Sequence, residues 1–359
     1  MTDSLYSSSA PVFKVDGQAD GGLARDLVRL EVEETTAGLK TLAARFLAVG
    51  PKAGAETEQL QYLDGAVLDF GKKIEVSLGP PGNERIVFSG TISGLEARFD
   101  EGAEPEVVAF AEDKLMKLRM TRRSKTYEQV SDADIASAVA SEHGLTPSTA
   151  ADGPTYDFVQ QWNQSDLAFL RERAALVQAE LWCEDETLNF KTRGNRTGTS
   201  VTLIQGNQLL SVECRADLAH QRTKVVVSGY DAQARATIEQ ESGSDAIQAE
   251  TSGGQTGPAV LQRAFGDRAS TRVRETPLVD GEATAWAKAE MLRRSRGFVT
   301  TVGTTHGTPE LVVGSRITLD RVGQPFNGGG YYVTRVRHTY DLEAGHRTRF
   351  EAERPTVSQ

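Results

Sequence analysis

Two well-separated stretches of this chain carry the same pattern of apolar and polar residues, and no other feature narrows its folding options as far. Residues 68–78 read LDFGKKIEVSL, and residues 311–321 read LVVGSRITLDR. In each, a glycine stands three positions after a leucine, two polar or basic residues follow, and an alternating strand begins. A turn rich in Gly, Pro or Asn then leads to a second strand with aromatic residues, RIVFSGTI in one case and YYVTRVRHTY in the other. The leading segments LVRLEVEET and RTKVVVSGY correspond more loosely. Three matches in one order predict a β-domain present twice, and a period this long is not that of a solenoid.

Between the copies the pattern changes to a helical one. Ser131 followed by Asp134 predicts a helix start, and Gly144 its end. Asn163 or Ser165 can cap a second helix, whose apolar face is Leu167, Leu170, Ala174, Val177 and Leu181. A hairpin over 179–191 closes this segment. The expected fold is α+β, mainly β: two tube-like β-barrel domains from an internal duplication, with a small helix-containing insert between them. The expected boundaries are a flexible arm over 1–26, a first β-domain over 27–118, an α/β insert over 119–205 and a second β-domain over 206–359. The last contains a polar loop at 240–257 and a helix at 282–296, begun by Asp280.

With 359 residues and a formal net charge of −10, the chain has no basic surplus with which to release counterions from nucleic acid or anionic lipid. The basic clusters at 114–125 and 293–296 read as solvated faces or subunit contacts. Two cysteines, Cys183 and Cys214, give neither a disulfide framework nor a zinc knuckle. No apolar run reaches the ~20 residues needed to cross a bilayer, and no secretory signal opens the chain. Synthesis and assembly in the bacterial cytoplasm are therefore expected.

No catalytic constellation stands out, and no cofactor or metal is expected. The glycines of 65–72 are one residue too far apart for a phosphate loop, and Lys73 stands where Ser or Thr would hold magnesium. Glu184, Asp185 and Glu186 read as a solvated turn. His338 and His346 can approach each other across the terminal hairpin, but a metal needs more ligands than two. The corner formed by Trp162, Asn163, Ser165 and Asp166 reads first as structure. The aromatic packs at a helix entrance, Asn and Ser satisfy free backbone donors, and Asp166 complements the helix dipole. A contact with a neighbouring subunit is its functional reading, and Tyr332 and His338 are further candidate interface residues.

Four segments in order, KIEVSLGPPGNERIVFSGTI, SDADIASAVASEHGL, YDFVQQWNQSDLAFLRERAALVQAELW and GGYYVTRVRHTYDLEAGHRTRFEAER, resemble the phage late-control protein D family of baseplate hubs. That family is related to the N-terminal hub part of VgrG spike proteins and to hubs of extracellular contractile injection systems. The resemblance covers the chain from about Leu27 onward. It implies a non-enzymatic virion structural protein: a homotrimer with pseudo-six-fold symmetry, adapting a hexameric tail tube or tube-initiator protein to a trimeric spike. The spike is expected to be a separate protein, because this chain ends soon after Phe350, and other baseplate proteins are further expected partners. A tail-associated peptidoglycan hydrolase and a simple tube or carbohydrate-binding β-module are the rival expectations.

Overall fold

A computed structural model describes residues 10–50, 59–251, 253–272 and 277–358. Strand accounts for 49% of the described residues and helix for 20%, so the fold is α+β, mainly β. Two compact units share it. The first comprises residues 1–116, 304–313 and 335–350, and the second 117–303, 314–334 and 351–359.

In the first unit, five strands neighbour one another in the order Leu27–Thr35, Thr41–Leu47, Glu106–Glu112, Arg85–Arg98, Lys73–Leu78. Their inward side chains, among them Leu30, Val32, Leu42, Phe46, Ile74, Val76 and Ala109, form one buried cluster. Alternation predicts this face well along 73–78. At the start of strand 27–35 it slips, because a register shift between Leu27 and Arg29 buries Leu27 and leaves Val28 half-buried.

The expected flexible arm is corrected by the structure over 10–26. Strand Val12–Val15 pairs with strand 73–78, and helix Gly21–Asp26 follows, capped by Asp20, which accepts a hydrogen bond from the Leu23 N–H at 3.0 Å. Phe13 and Leu23 are fully buried, and Phe13 meets Phe46 edge-on with ring centroids 5.4 Å apart. Burying two such side chains stabilises by about 1.5–3 kcal/mol each. Residues 1–9 lie outside the described residues.

A second set of strands has the same neighbour order: Leu209–Ala216, Val299–His306, Gly345–Arg354, Gly328–Asp341, Arg316–Asp320. The repeated glycines occupy matching positions. Gly71 has φ +84° and Gly314 φ +93°. The Gly71 N–H donates to the Ile92 carbonyl while the Ile92 N–H donates to the Lys72 carbonyl; Gly314, Val333 and Ser315 repeat this exchange. Among the described residues the strand order does not return on itself.

The proposed match of the leading segments is corrected. The counterpart of strand 27–35 is 209–216, whereas Lys224–Asp231 lies in a separate three-stranded sheet with Ala236–Gly243 and Ala269–Arg272. Because φ near +90° penalises any Cβ by ~1–2 kcal/mol, Gly71→Ala is expected to destabilise the chain by about 1 kcal/mol. Gly314→Ala is expected to cost more, since its new Cβ lies 3.0 Å from Arg196 Cγ whereas Gly71 has open space. Urea unfolding of the two variants checks both values.

In the second unit, helix Asp132–Glu142 opens with the expected capping box: Ser131 Oγ accepts from the Asp134 N–H and Asp134 accepts from the Ser131 N–H. Helix Asp166–Val177 is capped by Ser165, not Asn163, and ends on Gln178 with φ +54°. Leu181 lies beyond the helix, buried in strand Ala179–Glu184, which forms the expected hairpin with Thr187–Thr192. The stretch read as a loop at 240–257 is corrected too: strand 236–243 runs into it and helix Asp245–Gln248 follows. Helix Asp280–Arg296 starts at Val279, without a side-chain cap, so Asp280 is its first residue rather than its cap.

Candidate assembly corner and buried ion networks

Strand Tyr156–Ser165 and strand Arg122–Val130 form an antiparallel ribbon with helices 132–142 and 166–177 beside it. Alternation along the former strand buries Val159 and Gln161 and exposes Phe158, Gln160 and Trp162. The ribbon bulges between Arg123 and Lys125, and Asn163 adopts φ +42° opposite it. The Asn163 N–H donates to Ser124 Oγ at 3.1 Å, and Arg122 donates to the Asn163 carbonyl. Ser165 Oγ accepts from the Ala168 N–H at 3.2 Å.

Asp166 is completely buried. Its Oδ2 accepts from Arg123 Nη2 at 2.7 Å and lies 2.8 Å from His143 Nε2, while its Oδ1 accepts from Gln161 Nε2 at 2.9 Å. Arg123 also pairs with Glu142, which binds Lys125 at 2.7 Å. Asp166 therefore joins strand to helix through three side chains, a larger role than that of a dipole partner. Three of the four corner residues hold the turn, and the fourth departs from expectation. Trp162 is 72% exposed and does not pack at the helix entrance.

Tyr332 lies elsewhere in this unit, 3% exposed. Its hydroxyl donates to Glu180 Oε2 at 2.5 Å, and the guanidinium groups of Arg193 and Arg316 stand 4.0 and 4.2 Å from its ring centroid. Arg196 donates to the same Glu180 oxygen at 3.2 Å. Burial, reinforced by the Glu180 charge, pushes the Tyr332 hydroxyl far above its ordinary pKa, so it remains a donor. Tyr332 is a buried strut rather than an exposed interface residue. Glu180→Ala leaves Arg196 and the hydroxyl without their acceptor, and is expected to cost about 3 kcal/mol of unfolding free energy in urea melts.

His338 belongs to the first unit and is likewise buried. Its Nδ1 lies 3.3 Å from His346 Nε2 and 3.1 Å from Thr348 Oγ1. The expected approach of the two histidines is thus real. Among the described residues no group of three or more His, Cys, Asp or Glu side chains converges as metal ligands would.

A cleft of about 840 Å³ in the second unit contains Glu172 and Glu290. Glu172 accepts from Gln164 at 2.6 Å. Burial raises the Glu290 pKa, but Arg293, Arg294 and Arg272 outweigh it and hold the carboxyl below its ordinary range. An acid catalyst needs the opposite shift. The charge clusters built by Arg123, His143, Glu180, Arg193 and Arg196 escaped sequence reading because their members are far apart in the chain. No described helix is long and apolar enough to cross a membrane.

This duplicated strand order with a helical insert is the fold of phage tail proteins. The 43 kDa tail protein of prophage MuSo2 from Shewanella oneidensis superposes with a TM-score of 0.69 at 14% identity, over 96% of this chain and 98% of that one. The tail protein from Neisseria meningitidis MC58 gives 0.64 at 14% identity, over 96% of each chain. An Escherichia coli protein described as a component of the type VI secretion system, with structural similarity to T4 bacteriophage tail proteins, gives 0.55 at 12% identity, over 92% of this chain and 73% of that one. No curated protein matches. The chain belongs to the Alg8 N-terminal domain family, whose model matches residues 52–341.

Proposed function

We propose that this chain is a non-enzymatic baseplate hub of a contractile injection machine, of the kind the late-control protein D family supplies. In this reading three copies form a ring with pseudo-six-fold symmetry, and the ring adapts a hexameric tail tube to a separate trimeric spike. The observation that carries it is the five-strand order found twice in one polypeptide, down to the hydrogen-bond exchange at Gly71 and Gly314. A chain with two like domains lets three subunits present six similar surfaces, and closed cyclic symmetry leaves no lateral interface unsatisfied. The likeness of fold to tail proteins supports the same reading. The absence of turnover is supported by the use of buried Asp166 and Glu180 and half-buried Glu290, each of which binds arginine.

The test is the mass of the purified chain in solution, alone and with a candidate trimeric spike protein. A trimer that retains the spike through size-exclusion chromatography is the expected result. A monomer at micromolar concentration that ignores the spike would remove the proposal.

A further inference from the structure

We propose that the cavity walled by Gly254, Gly330, Arg354 and Thr356 in the second unit binds a small oxyanion, a phosphate or a carboxylate, through the Arg354 guanidinium. The site lies within one subunit and does not depend on the hub reading.

Arg354 ends strand 345–354, where alternation places it, like Ala352, among the buried residues; only 2% of it is exposed. Its guanidinium lies 4.3 Å from the centroid of the Tyr331 ring. Nη1 donates to the carbonyls of Asn327 and Gly329 at 3.2 and 3.4 Å, and Nη2 to that of Pro325 at 2.8 Å. These carbonyls take up hydrogens but leave the charge unanswered. Among the described residues no carboxylate pairs with Arg354, and its buried Nε has no hydrogen-bond partner. The other arginines buried this deeply, Arg196 and Arg296, pair with Glu180 and Glu250. Burial accordingly pushes the Arg354 pKa down, because a charge withdrawn from water is costly unless it is paired.

The cavity beside this side chain has a volume of about 410 Å³, and Gly253, Gly254, Gly329 and Gly330 form part of its wall. The glycines keep the approach to the arginine clear. A Cβ on Gly330 would lie 3.6 Å from Arg354 Cδ, and one on neighbouring Gly328 would lie 3.9 Å from Nη1. Glu250 also stands on the wall but does not neutralise Arg354. Both its oxygens are taken by Arg296, at 2.8 and 2.5 Å, and Arg193 and Arg316 are within electrostatic reach of it. A guanidinium edge grips two oxygens of a phosphate or carboxylate at once, and Nε–H is the donor still without an acceptor.

Isothermal titration calorimetry of the purified chain at matched ionic strength tests the site, with inorganic phosphate in one arm and acetate in the other. Saturable binding with a dissociation constant on the order of 1 mM is expected in at least one arm, and the tighter arm identifies the oxyanion. Arg354→Met removes the charge and is expected to weaken that binding at least tenfold. Arg354 also holds the turn at 325–329, so a second variant leaves it in place. Thr251→Glu puts a carboxylate on the cavity wall; it is expected to weaken the anion at least tenfold without lowering the melting temperature. If Arg354→Met does not fold, Thr251→Glu alone decides. Unchanged affinity in Thr251→Glu or in folded Arg354→Met overturns the proposal, as does the lack of saturable binding by either anion up to about 20 mM.

Discussion

Replacing Asp166 with alanine is expected to lower the unfolding free energy by about 3 kcal/mol, the loss that follows when one partner of a buried charge pair is deleted. The carboxylate is fully buried, and it is the shared acceptor of Arg123, His143 and Gln161. Alanine would leave a guanidinium that retains only Glu142, a histidine and an amide, each half-buried or buried. In a domain of this size the shift in melting temperature is on the order of 10 °C. Asp166→Asn keeps an acceptor for Gln161 but removes the charge, and should fall between the two. A loss below about 1 kcal/mol for the alanine variant would mean that the corner is not held by this network.

The second large effect concerns acid. His338 and His346 are buried and adjacent, with ring centroids 5.4 Å apart. Burial pushes both below the ordinary histidine range; His346, also near Arg347, is lowered to about 4, and His338 is lowered further by His346 and Lys40. The folded state thus holds both rings neutral while the unfolded chain takes up protons below its ordinary pKa of about 6.5. The unfolded state binds more protons in that window, so stability is full above pH ~6.5 and falls as pH drops toward 4. For His346 the shift corresponds to roughly 3 kcal/mol over the window, and His338 adds a loss of the same sign. Urea midpoints at pH 7, 6, 5 and 4.5 measure it. His346→Gln, which retains polarity but does not titrate, should flatten the curve; an equal slope in both proteins would exclude the pair as its source.

What could be read from the residues was what local chemistry dictates. Ile74, Val76 and Leu78 alternate with polar neighbours because one side of their strand is core, and the Ser131–Asp134 box is a contact three residues long. The second copy's leading strand was missed for a matching reason. Strand 209–216 reads LLSVECRA and is mostly exposed, so nothing obliges it to alternate. Strand 224–231 alternates clearly with Val225 and Val227 because helix 280–296 packs on it, and it imitated the repeat without being part of it. The arm over 10–26 is hidden by its Gly and Ala content, although Phe13 and Leu23 anchor it. At the candidate corner the sequence placed Ser165 and Asp166 correctly on the helix. It could not reveal that Asp166 meets Arg123, or that Glu180 meets Tyr332 from 152 residues away.

The late part of strand 328–341 pairs with strand 27–35 from Arg335 to Asp341, and Arg335 reaches Glu33 across 302 residues of sequence. On the ribosome, then, the first sheet is synthesised with one flank bare, and its partner emerges only about 300 residues later. Until that moment an unpaired row of backbone amides and carbonyls is open to any passing strand. A premature stop before residue 335 therefore yields more than a shortened subunit: it yields a sticky one.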